Sequence, residues 1–148
     1  MSATGLPVFD KTIQETNMWL KSIEAGIGPD RKIAYDVLRA VLHALRDRLT
    51  VEQASHLSAQ LPMLVRGIYF EGWHPAGKPE KIRALGPFLE RIAEELSNVR
   101  PVNTEVAARS VFRTLAENIT AGEAEKVKGM LPEEIRSLWP NVVPSATP

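Results

Sequence analysis

The stretch "GWHPAGKP", Gly72 to Pro79, spells G-x-x-x-x-G-K. That spacing belongs to loops whose backbone N–H groups cradle phosphates while a Lys reaches the outer oxygens. The same chemistry needs a strand before the loop and a Ser or Thr after the Lys to hold magnesium. Here Pro79 follows Lys78, which offers no hydroxyl and removes a backbone N–H; Pro75 removes another inside the loop. The run before it, "PMLVRGIYF", aligns with a later segment, "PEEIRSLWP", whose Pro-Glu-Glu opening is a helix start. Acids in a first turn complement the helix dipole. "GWHPAGKP" is therefore expected to be a connector after a helix. Gly26-Ile-Gly28 lacks a third Gly and precedes Pro29, so it reads as a helix stop.

Other chemistry-bearing residues are sparse. The chain has no Cys, which excludes disulfides, thiolate zinc sites and cysteine nucleophiles. His43, His56 and His74 are the only histidines, and no His-x₃-His pair exists. His43 is expected opposite the apolar stripe of its helix, in solvent, and His74 in the connector. Ser55 and His56 are adjacent, so their side chains diverge on a helix and cannot pair as nucleophile and base. Glu94-Glu95 and Glu133-Glu134 read as solvated helix acids. No catalytic residue, cofactor or metal site is expected.

The bulk composition narrows the classes further. Lys plus Arg is 18 and Asp plus Glu is 18, so the formal net charge is zero. A dedicated nucleic-acid binder would show a basic excess, and a polybasic membrane anchor would too. No apolar run approaches the ~20 residues of a membrane span. "MSATGLPVFDK" has neither the basic start nor the apolar stretch of a secretory signal. A cytoplasmic protein is the expectation.

These residues must be positioned by helices, and the helices come twice. "LTVEQASHLSAQLP" from Leu49 aligns with "ITAGEAEKVKGMLP" from Ile119, an offset of 70 residues. The same offset pairs Arg39 with Arg109, Val41 with Val111, Leu45 with Leu115, Pro62 with Pro132 and Arg66 with Arg136. Upstream, Met18–Ile23 aligns with Pro87–Ile92. Two tandem units of about 70 residues are predicted. Within the first, Ile33, Val37, Val41 and Leu45 step by four with Leu38 and Leu42 beside them, one apolar helical face. Asp30 is a plausible N-cap. Thr50-x-x-Gln53 and Thr120-x-x-Glu123 have the form of capping boxes, and Pro62 and Pro132 open further helices. Helices are predicted over 10–25, 30–48, 50–60 and 62–71, and again over 79–97, 103–118, 120–130 and 132–139. The organisation follows: a flexible start 1–8, unit one 9–72, a connector 73–78, unit two 79–140 and a flexible tail 141–148, packed as one all-α domain.

The words "ALRDRLTVEQASHLSAQLP", "RGIYFEGWHP" and "VKGMLPEEIRSLWP" resemble the bacterial domain-of-unknown-function family 2267. The resemblance runs from about Val8 to Pro140. It implies an all-α fold and a prokaryotic source, and carries no activity, cofactor or catalytic residue.

Two surfaces remain as candidates for function. Arg39 lies ~240° round from Ile33, whereas the apolar residues centre near ~80°, so it points away from its core, as does Arg109. Either these arginines bridge to neighbouring helices or they make a symmetric pair of anion or partner sites. With Arg66, Arg136, Tyr69, Trp73 and His74 they form the candidate partner or ligand surface. The second surface is Met63, Leu64 and Phe70, which replace Glu133, Glu134 and Pro140 of the other unit. Helix 62–71 is thus apolar nearly all round, the pattern of a helix covered on both sides. It is expected at the centre, against helix 79–97 or against a second copy. The leading function is a non-enzymatic interaction or scaffold module, with self-association or a protein partner and neither nucleic acid nor membrane. The alternative is a small-ligand binder or enzyme with a cleft between the units lined by Trp19, Tyr69, Trp73 and arginines.

Overall fold

A computed structural model describes residues 3–99 and 101–141. Eight helices and no strands occur among these residues: α1 (Pro7–Ile27), α2 (Arg31–Arg48), α3 (Val51–Ser58), α4 (Met63–Phe70), α5 (Leu85–Glu95), α6 (Thr104–Asn118), α7 (Ala121–Met130) and α8 (Glu133–Arg136). The all-α architecture matches the periodicity of the sequence.

Each start has a local cause. Asp30, Thr50, Asn103 and Thr120 accept from the backbone N–H groups of Ile33, Gln53, Val106 and Glu123 at 3.0–3.2 Å. These bonds satisfy donors that a helix start leaves unpaired. The return half of the predicted capping boxes is absent. Gln53 instead donates across to Glu123 Oε2 at 2.7 Å, 70 residues on, where α3 packs beside α7. Arg66 and Arg136, also 70 residues apart, donate from Nη2 to the carbonyls of Leu61 and Leu131 at 3.0 and 2.9 Å.

Several boundaries differ from expectation. α1 begins at Pro7, inside the segment predicted to be flexible, because Pro is pre-organised for a first turn; Thr4 also ties back to Asp10. It runs through Gly26 and stops at Gly28, whose φ of 109° suits only glycine. Helix 79–97 starts six residues late, at Leu85. Residues 79–84 are drawn against the end of α2 instead: Glu80 N–H donates to Asp47 O at 2.7 Å, and Arg48 donates to Glu80 O. The Glu134 carboxylate then caps α5 through Leu85 N–H at 2.9 Å. α8 is one turn rather than the predicted 132–139, since a residue before Pro140 is disfavoured in helical conformation. The predicted tail beyond Asn141 lies outside the described residues.

The centre of the molecule is α2, not helix 62–71. α1, α4, α5 and α6 all pack on it, and residues 40–49 are buried on every side. α4 packs on α1 and α2 rather than on α5. Leu64 N–H donates to Thr12 Oγ1 of α1 at 2.8 Å, and Met63 and Leu64 remain 49% and 43% exposed. Met63 and Leu64 are therefore not covered by helix 79–97 as expected, while Phe70 is half-buried, 5.0 Å from the Trp73 ring.

Candidate functional site

The polar side of α2 is buried because its charges meet partners. His43, expected in solvent, is 4% exposed. It lies between Ile68 O, 2.8 Å from Nε2, and Glu95 Oε1, 3.2 Å from Nδ1. One turn on, Arg46 donates to its neighbour Asp47 and, from Nη1, to the carbonyls of Tyr69 and Glu71 at 2.8 and 2.9 Å. The end of α4 and the start of the connector are thereby anchored on α2. Arg91 of α5 reaches Asp47, Glu80 and Glu95 together.

The electrostatics follow from this packing. Burial alone would raise the Asp47 carboxyl, but Arg46, Lys78 and Arg91 outweigh it and hold the group below the usual range. At Glu95 burial is likewise overcome by His43, Arg91 and Arg39. Burial opposes the charge of Arg91, yet Glu80 and Asp47 raise its pKa. Charge is paid for here by charge: removing one partner would leave an uncompensated ion indoors.

The candidate arginines separate on inspection. Arg39 binds Glu71 at 2.7 Å and Glu95 at 3.3 Å, a bridge to neighbouring elements. Arg109 pairs with Glu105 on its own helix at 3.0 Å and donates to Ser137 O. The two are not symmetric in their partners. Arg66 and Arg136 tie down the chain after α3 and α7. His74 is exposed in the connector, and Lys78 there pairs with Glu80 at 3.4 Å. The Lys78–Pro79 peptide bond is cis.

Two of the aromatics expected to line a cleft between the units lie in the core. Trp19 and Tyr69 are 2% and 0% exposed, and the Tyr69 hydroxyl donates to Ala54 O at 2.8 Å. Burial raises the Tyr69 pKa well above its usual value. These aromatics pack the core, and Trp73 is half-buried against Phe70.

What the sequence did not locate is a groove of about 620 Å³ between α1, α2 and α4. Ile13, Leu20, Tyr35, Leu64 and Ile68 make its apolar wall, and Arg31 and Lys32 stand at its rim. Phe9, Ile13, Tyr35 and Met63 are also exposed. The signal was present as the extra apolar residues of helix 62–71. Its meaning depended on which face α1 left uncovered.

No curated protein matches the chain. The model of a family described as an uncharacterized conserved protein, DUF2267, matches residues 16–138. With that span covering most of the α-helical domain, the chain belongs to the DUF2267 family.

Proposed function

We propose that this protein is a non-enzymatic interaction module, built from a tandem duplication and working in a bacterial cytoplasm, that self-associates through the α1–α2–α4 face. The observation that carries this reading is the pairing of shapes on one face. A groove walled by Ile13, Leu20, Tyr35, Leu64 and Ile68 adjoins the exposed apolar side chain of Met63. A two-fold interface uses the same patch on both subunits, so each patch must carry both ridge and groove. Contiguous exposed apolar surface of this kind drives association. The clustered charges elsewhere support a structural rather than a catalytic use, since Arg39, Arg46, Asp47, Arg91 and Glu95 are engaged with one another or with backbone carbonyls.

Sedimentation tests the reading. The wild-type chain is expected to sediment as a dimer, and Leu64→Glu as a folded monomer with unchanged helix content. A wild-type monomer at about 100 μM, far above the dissociation constants of specific dimers, would overturn it. So would a dimer that Leu64→Glu leaves intact.

A further inference from the structure

Two pairs of arginines related by the 70-residue offset end in different surroundings. Arg39 Nε is met by the Glu71 carboxylate at 2.7 Å, and Arg66 donates from Nε to Ser58 O and from Nη2 to Leu61 O. Arg109 pairs only with Glu105 on its own helix and donates to Ser137 O. At the offset from Glu71 stands Asn141, which carries no charge, and at the offset from Ser58 stands Lys128, which adds one. Arg136 donates from Nη2 to Leu131 O at 2.9 Å, but among the described residues its Nε meets no acceptor. Lys128 is half-buried, and among the described residues no carboxylate is in ion-pair contact with it.

These cations surround a space. A cavity of about 470 Å³ lies between α6, the last turn of α7 and α8. Arg109, Lys128 and Arg136 line it, with Glu133 as the one carboxylate on its wall among the described residues. Arg136, Glu133 and Asn141, which also lines it, are exposed, so the cavity opens to solvent. Its size is that of a small-molecule site. Like charges gathered round one space repel until an anion comes between them. Lys128 Nζ and Arg136 Nε are donors without carboxylate partners, and both groups bind phosphate oxygens. A phosphate group carries about −1.5 to −2 charge at neutral pH, which matches those two cations.

We propose that the cavity between α6, α7 and α8 binds a phosphate group, held by Lys128 and Arg136 with Arg109 as a fixed positive wall. The anion takes the part that the Glu71 carboxylate plays beside Arg39. Glu133 opposes it by its charge. The volume leaves room beside the phosphate for the rest of a small phosphomonoester. This site is separate from the α1–α2–α4 face and does not depend on it, and the cavity and its cations stand without the 70-residue comparison.

Calorimetric titration of the full chain with inorganic phosphate and with phenyl phosphate tests this, at constant ionic strength and with acetate as the singly charged control. Saturable binding of the phosphates and none of acetate is expected. Lys128→Gln should weaken it about tenfold, the scale of one lost charge-assisted contact. Lys126→Gln, the same charge change at an exposed position of α7, should leave it intact. Glu133→Gln should tighten binding. Asn141→Glu, which restores on the cavity wall a carboxylate like that of Glu71, should abolish it. Positions 133 and 141 are exposed, so these variants decide without disturbing the core. A flat titration, an equal response to acetate, equal effects of Lys128→Gln and Lys126→Gln, or binding that Asn141→Glu leaves intact would overturn the site. Where both phosphates bind, tighter binding of phenyl phosphate identifies a phosphorylated small molecule as the ligand, and equal or weaker binding identifies free phosphate.

Discussion

The threonines at positions 50 and 120 illustrate how much one side chain decides. Each oxygen accepts from the N–H three residues on, at 3.1 and 3.2 Å. Thr50→Ala is expected to cost ~1 kcal/mol, the usual worth of a cap. Thr120→Ala should cost somewhat more, because Thr120 Oγ1 also accepts from Gln60 Nε2 at 3.2 Å. Urea unfolding of the two variants, read at constant m-value, checks both the magnitude and the order. The sequence marked both residues as helix caps. It could not show that Gln53 and Glu123, named as partners of their own caps, would be drawn to each other, with His56 Nδ1 on the second Glu123 oxygen at 2.8 Å.

At the scale of elements, the crossing of α1 and α6 depends on small residues. Ser22 Oγ lies 2.7 Å from Thr114 Oγ1, and Arg113 donates to Ser22 O at 2.7 Å. Gly26 faces α6, where an added Cβ would come within 2.0 Å of Ser110 Oγ and 3.0 Å of Ser110 Cβ. In an open helix Gly→Ala would stabilise by about 1 kcal/mol. Here the added methyl must push two helices apart, and overpacking of this kind costs ~1–3 kcal/mol. Gly26→Ala is expected to lower Tm, while Gly67→Ala on α4, where nothing lies within 4 Å, should not lower it. Equal shifts of the same sign in thermal melts would mean that α1 and α6 are not tightly apposed. Read as a helix stop in the sequence, Gly26 is a packing residue; only Gly28 has the backbone conformation that ends the helix.

For the molecule as a whole, the ionic layer on α2 sets how stability responds to pH. Asp47, Glu71 and Glu95 all titrate below their ordinary range when folded: Asp47 and Glu95 despite burial, and Glu71 through its bond to Arg39. A depressed folded-state pKa means that the unfolded chain binds protons more readily, so stability rises with pH across that interval. The stabilisation is complete above the unfolded values, about pH 4–4.5. It is lost as pH falls through the lower folded values. Tm is therefore expected to fall from about pH 5 downward, and Asp47→Asn should be less stable at pH 7 with a shallower acid slope. A variant whose melting curve against pH parallels that of the wild type would remove Asp47 from the layer.

Periodicity, caps and prolines are local properties, and they determined the helices, their order and the capping by Thr50 and Thr120. The Pro residues in "GWHPAGKP" also sufficed to reject a phosphate loop, because a missing N–H is a property of the residue itself. Burial of the polar face of α2 was decided only by tertiary structure. His43 reads as solvated, yet it is buried together with Arg46 and Asp47 because Glu95 and Arg91 arrive from α5 and carbonyls arrive from α4. Charges can be buried where opposite charges and acceptors converge on them, and convergence of residues 23 to 52 positions apart has no signature in either segment alone. The same holds for Met63 and Leu64. Their apolarity was legible, but whether α5 would cover them depended on where residues 79–84 ran. That path was set by the bonds of Glu80 to the end of α2.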